Sequence, residues 1–234
     1  MSKNNVFSTE RELQVPPIIL PDFLEPNSRL KMDGLKFLYH LPNESVPVAF
    51  LDPQYRGVLD KMNYGNEGKS REKRRNSLMQ MNEEIIGQLI QGINNVLISS
   101  GHLFLWIDKF HLCQGFKNWF DGTQLEVVDL IVWDKGRIGM GYRTRRVSEY
   151  CVVLQKQPKR AKGVWKIHNI PDVWHEQKET KDHPHQKPLN LQAELIAAVT
   201  NEGDYVIDPA AGSFSVMTAA HLQNRNFIGC DLEG

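Results

Sequence analysis

The stretch Tyr205-Val206-Ile207-Asp208-Pro209-Ala210-Ala211-Gly212-Ser213-Phe214-Ser215 decides the fold. A short apolar strand runs into Asp-Pro, a glycine turn follows, and a helical stretch, Phe214–Leu222, begins at once. In open α/β sheets, ligands bind where such loops diverge, at the carboxyl ends of the strands. Gly212 permits a positive φ and lets a ligand come close to the backbone. The helix start offers N–H groups to an anionic group such as a carboxylate. The spacing is neither the GxGxxG of dinucleotide enzymes nor a phosphate loop ending in GKS or GKT, so those cofactors lose ground. About 20 residues after the turn, where a ribose-binding carboxylate belongs, Asn226–Cys230 reads as the next strand and ends in Asp231, with Glu233 as a near competitor.

Working outward, strands are predicted at Val48–Leu51, His102–Ile107, Leu125–Trp133 and Ser148–Leu154, and helices at Met81–Ile98, Phe110–Phe120 and Leu189–Val199. Ile85, Ile86, Leu89, Ile90, Ile93 and Leu97 recur at helical spacing in the first of these helices. Strands alternating with helices predict an α/β fold: a doubly wound, mostly parallel, Rossmann-like sheet with helices on both faces. Residues 1–30 are polar and dotted with prolines, and read as an arm over the surface of a single domain, 31–234. Residues 155–182 contain a basic cluster, Lys156, Lys159, Arg160 and Lys162, and little periodicity, and read as an insert.

A chain of 234 residues with 41% apolar side chains can bury one sizeable core. The 28 basic and 28 acidic side chains cancel, so a nucleic-acid surface must be a local patch. Cys113, Cys151 and Cys230 lie in no metal-ligand spacing, and their odd number argues against a disulfide framework. Met1-Ser2-Lys3-Asn4-Asn5 lacks the apolar core of a signal peptide, and no run approaches the ~20 apolar residues that span a bilayer, so a cytoplasmic, non-membrane protein is expected.

Upstream, Asp52-Pro53-Gln54-Tyr55 follows the Val48–Leu51 strand; downstream, His183-Pro184-His185-Gln186-Lys187-Pro188 leads to the glycine turn. In this order, the three pieces resemble the β-class, permuted, S-adenosylmethionine-dependent amino-methylating DNA methyltransferases, in which an Asp/Asn/Ser-Pro-Pro-Tyr/Phe tetrapeptide precedes the cofactor turn. The resemblance spans about residues 32–233, with Gln54 standing where the family has its second proline. It implies transfer of a methyl group from S-adenosylmethionine to the exocyclic amino nitrogen of adenine in duplex DNA, since Asp at position 52 favours adenine over cytosine. An exocyclic amino group is a poor nucleophile because its lone pair is delocalised into the ring. By the resemblance, Asp52 and the Pro53 carbonyl would accept its two N–H hydrogens, and Tyr55 would stack on the extruded base.

The resemblance also implies a cofactor site. Asp33 would touch the adenine, Asp231 would hold the ribose, and Asp208, Ala210, Gly212 and Ser213 would form the turn. His183 and Lys187 would line the methionine end. A His-x-His pair can suggest a metal, but no Cys or acidic companion sits at ligand spacing, so no metal is expected. DNA contacts are expected from Arg71, Arg74 and Arg75 beyond the tetrapeptide, from Arg143, Arg145 and Arg146 in the glycine- and arginine-rich stretch with Tyr142, and from target recognition in the 155–182 insert. A homodimer, a restriction endonuclease partner or a partner subunit fits such an enzyme. The alternatives are a cytosine-amino methyltransferase, a catalytically degenerate DNA-binding subunit suggested by Gln54, and methylation of RNA or of a protein glutamine.

Overall fold

The computed structural model describes residues 12–54, 81–139, 143–177 and 187–234. Among these, eight strands form one sheet: β1 (Leu30–Lys31), β2 (Val46–Leu51), β3 (Leu97–Ile107), β4 (Leu125–Asp134), β5 (Ser148–Lys156), β6 (Val173–His175), β7 (Tyr205–Asp208) and β8 (Asn226–Asp231). Their order across the sheet is β1-β8-β7-β2-β3-β5-β4-β6. Every pairing is parallel except those of β5, which runs against both β3 and β4. The expected mostly parallel sheet is therefore present, with one reversed strand that residue patterning did not reveal.

Strand period and burial explain the two layers of helix. In β2, Ala49 and Leu51 face a core formed with helix α1 (Gly34–His40) and helix α2 (Glu83–Val96), while Val48 and Phe50 face a second core formed with α4 (Leu189–Val199) and α5 (Ser215–Leu222). Alternate side chains of a strand point to opposite faces, so each face needs its own cover. Asn82 caps α2 by accepting the Ile85 N–H, and Ile86, Leu89, Ile90 and Ile93 form its buried stripe.

Three local readings shift. The predicted helix over Met81–Ile98 stops at Val96, because Leu97 already pairs with Val46 as the start of β3. The predicted Phe110–Phe120 helix splits at Gly115 (φ +96°) into α3 (Lys109–Gln114) and one 3-10 turn, Lys117–Trp119, which buries Trp119. Within 155–182, β5 runs on to Lys156, and β6 adds to the outer edge of β4, pairing Asp134 with His175. Ahead of the sheet, Leu24 is buried in the first core, and Asn27 bonds the backbone of Phe227, docking the chain before β1 onto β8.

Candidate active site

The tips of β2, β3 and β7 open into one crevice, lined by Phe50, Asp52, Gln54, Trp106, Lys187, Asp208 and the turn 210–213, with about 480 Å³ of space that is open to solvent. The two motifs that are remote in sequence thus share a cavity. Parallel register explains this: Leu51 sits beside Leu105 of β3, and Ala49 beside Ile207 of β7, so all three strands end at one level.

In the turn, Asp208 Oδ1 accepts the Ala210 N–H at 3.0 Å and Asp231 Oδ2 accepts the Gly212 N–H at 3.3 Å. Gly212 has φ +50°, and a Cβ there would meet no atom within 4 Å; its glycine is needed for backbone shape and not for room. Phe214, buried, also takes a left-handed φ of 58° and starts α5 with no side-chain cap, so the first-turn amides of α5 are not taken by a capping side chain. Gly34 has the opposite reason to be small: a Cβ there would lie 2.4 Å from the Pro209 carbonyl oxygen. That close approach sets Asp33, the N-cap of α1 accepting from Leu35 and Lys36, beside the turn. The helix start, the turn and the end of β8 are thereby brought together.

Asp52 forms an ion pair with Lys187, Oδ2 to Nζ 2.6 Å. The same ammonium lies 3.3 Å from Glu149 Oε2, and Lys135 approaches Glu149 Oε1 at 3.1 Å. The Lys187 side chain is only 13% exposed, and its Nζ sits 5.4 Å above the Trp106 ring. Burial works against its charge, but the Asp52 and Glu149 carboxylates outweigh that and hold the ammonium above the usual lysine range. Burial likewise pushes the Glu149 carboxyl up, yet Lys187 and then Lys135 pull it down to about 2. Asp208, 4% exposed, goes the other way: burial first, with the charges of Asp52 and Asp231 adding, raises it to about 8 against the Ala210 N–H and Lys187.

Lys187 therefore turns toward the tetrapeptide, where the resemblance had implied the cofactor's methionine end. Glu149 is the partner that sequence reading missed: it stands two residues after Val147 in an unremarkable strand start, and only the β4–β5 register, Trp133 opposite Glu149, carries it to the crevice end. Tyr55, Arg71, Arg74, Arg75, Tyr142 and His183 lie outside the described residues. The Gln54 carbonyl, at the crevice lining, accepts the Met81 N–H at 2.7 Å.

The β4–β5 hairpin projects from the same end. Gly139 donates to the Arg146 carbonyl and Lys135 to that of Val147. Arg137, Arg143 and Arg145 are exposed, while Arg146 is half-buried over the Phe110 ring at 5.5 Å. The 156–162 cluster is at the opposite end of the sheet, since Lys156 pairs with Leu125 at the start of β4 whereas Ser148 pairs with Asp134 at its end. There Lys156 is buried, its Nζ donating to the Leu97 carbonyl at 2.7 Å and pairing with Glu44 at 3.2 Å. Lys159 pairs with Glu126, and Arg160 bonds Ser100 Oγ. Among the described residues no group of His, Cys, Asp and Glu is placed to hold a metal ion, and no helix is long and apolar enough to cross a membrane.

The model of the DNA methylase family, covering N6 and N4 amino-methylation, matches residues 46–234. The chain belongs to the DNA methylase family. With it, the chain is a DNA methyltransferase that draws its methyl group from S-adenosylmethionine. It is 56% identical over 207 residues to the Type II methyltransferase M.HhaII of Haemophilus parahaemolyticus, covering 88% of this chain and 91% of that one. Its fold is shared with the M1.HpyAVI–SAM complex (TM-score 0.62, 19% identity, 88% and 94% of the two chains) and with the cytosine-N4-specific PvuII DNA methyltransferase (TM-score 0.64, 15% identity, 88% and 81%).

Proposed function

We propose that this methyltransferase modifies the exocyclic amino group of adenine within a short sequence of duplex DNA. The observation that carries the reading is the shared crevice of Asp52 and the Gly212 turn. S-adenosylmethionine, when bound, supplies an electrophilic methyl carbon on a sulfonium. The cradle fits such a group: a glycine bend with no Cβ contact, an uncapped helix start, the Asp208 carboxyl in the lining, and the carboxyl groups of Asp33 and Asp231 beside the turn. Asp33, Asp208, Ala210, Gly212, Ser213 and Asp231 would hold it.

Asp52 and the Pro53 carbonyl accept the two amino hydrogens of the target base, and this draws the nitrogen toward tetrahedral geometry with its lone pair free. In taking the methyl carbon the nitrogen would shed one proton, to the Asp52 carboxylate and on to solvent, and the donor would leave as the neutral thioether S-adenosylhomocysteine. Lys187 pairs with Asp52 and fixes its direction, and Glu149 with Lys135 holds Lys187 in place. The gain comes from positioning and from charge arranged in advance. Tyr55 stacks on the extruded base in this reading. Arg143 and Arg145, with Arg71, Arg74 and Arg75, contact DNA. Recognition draws on the hairpin and on the stretch of 155–182 around β6, which pairs with Val132–Asp134 of β4. A Type II setting suggests a restriction endonuclease of the same specificity, a cytoplasmic location with the DNA, and assembly as a homodimer.

A labelled-methyl assay on unmethylated genomic DNA, followed by nucleoside analysis, tests the reading. N6-methyladenine is expected; N4-methylcytosine would overturn the adenine assignment. Intact cofactor and DNA binding with no incorporation would favour a degenerate subunit, the reading motivated by Gln54.

A further inference from the structure

Four buried side-chain polar atoms among the described residues have no hydrogen-bond partner: His102 Nδ1, Trp106 Nε1, Arg146 Nη2 and Gln192 Oε1. Buried polar groups are nearly always paired, so each calls for a reason. His102 packs against the Phe104 and Trp165 rings, and burial drives its pKa down to about 3, so it is a neutral core residue. Arg146 lies over Phe110. The other two, Trp106 and Gln192, both line the crevice, and each is at most 2% exposed.

Gln192 is out of place by pattern. It shares a helical stripe with Leu195, Ile196 and Val199, all fully buried, where an aliphatic side chain would fill the same space without leaving an oxygen unpaired. Helix α4 packs on α5, and Ser213, Ser215 and Val216 at the start of α5 join Gln192 in the crevice lining. The cation best placed by sequence to meet a ligand carboxylate, Lys187, is instead engaged by Asp52 and Glu149. The crevice lining thus includes an unpaired acceptor on α4, an unpaired donor on β3 and, at the start of α5, helix amides that no side chain caps.

We propose that Gln192 accepts the ammonium of the methyl donor's amino-acid end, while Trp106 Nε1–H and the first-turn amides of α5 receive its carboxylate. This rests on the S-adenosylmethionine reading above. An acceptor and a donor in one crevice also suit the edge of a purine, so the test must separate the two ligands.

Calorimetry with the full chain uses S-adenosylmethionine, S-adenosylhomocysteine and 5′-methylthioadenosine, the last lacking the amino-acid end. Gln192→Leu conserves volume and removes the acceptor. The expected result is about tenfold weaker binding of the first two ligands, with methylthioadenosine bound as by the parent, which also shows that the site is folded. Trp106→Phe should give the same selective loss. Equal loss of all three ligands, or no loss of any, overturns the proposal. So does unchanged cofactor affinity with a raised KM for DNA, which would place Gln192 at the base. A parent chain that binds no S-adenosylmethionine sinks the methyltransferase reading itself, whereas parental binding with an indifferent Gln192→Leu sinks this inference alone.

Discussion

Lys156 is buried and Lys187 is largely so, at opposite ends of one sheet, and their partners differ in kind. Lys156 is satisfied by a backbone carbonyl, with one exposed glutamate alongside, at the start of β3. Lys187 stands between two carboxylates, one of which belongs to the tetrapeptide, at the rim of an open crevice. The arginines repeat the contrast: Arg160 at the far end is bonded to Ser100 Oγ of β3, while Arg143 and Arg145 at the crevice end are exposed. Basic residues in a sequence do not announce a partner. The end of the sheet they occupy, and what already neutralises them, does.

The largest effect should come from the centre of the crevice. Asp52→Ala removes the acceptor of the target amino group, and kcat should fall by ~10³ or more, while cofactor affinity and the melting temperature stay near the parent's. Single-turnover methylation with saturating DNA measures it, and a variant retaining parental turnover would refute the role of Asp52.

The two lysines come next. Lys187→Met should lower kcat by about a hundredfold, because Asp52 loses the group that orients it. Lys156→Met leaves the Leu97 carbonyl without its charged donor and should lower the melting temperature by roughly 5 °C with kcat unchanged. If Lys156→Met cost turnover and Lys187→Met only stability, the contrast between the ends would be reversed.

Much of this arrangement was readable from the chain. The Asp52 and Gly212 loops each announce themselves locally, through an apolar strand that ends in Asp-Pro, and parallel strands of a doubly wound sheet must end on one side. The helices α2 and α4 followed from spacing alone. What stayed hidden depends on pairing. Nothing in Ser148–Lys156 says that this strand runs backwards, and that single fact sends Glu149 to the crevice and Lys156 to the far end. The three residues of β6 are too few to show a period. Gln192 was legible in principle, as a polar residue on an otherwise apolar helical stripe.

The arginine clusters give a smaller and more specific difference. Each phosphate contact contributes about one unit to the slope of log affinity against log salt. Arg143→Ala with Arg145→Ala should reduce that slope by about two units and weaken binding of any duplex. Lys159→Ala with Arg160→Ala should leave the slope as it is, since those side chains pair with Glu126 and Ser100 at the far end. Fluorescence anisotropy across a salt series checks both pairs.

The smallest effect concerns Asp208, whose carboxyl is raised to about 8, chiefly by burial. In the unfolded chain it would ionise near pH 4. A raised folded value favours the protonated form, so this group's contribution to stability is complete below about pH 4 and is lost as the pH climbs through the interval to about 8. Asp208→Asn keeps a neutral side chain that can still accept the Ala210 N–H, and has no such loss. The melting temperature of the variant, measured without ligand, should therefore gain on the parent's by a few degrees between pH 5 and pH 8. A constant offset over that range would mean that Asp208 is already ionised, and that the crevice end tolerates a buried negative charge which Lys187, held by Asp52 and Glu149, offsets more strongly than its distance from the turn suggests.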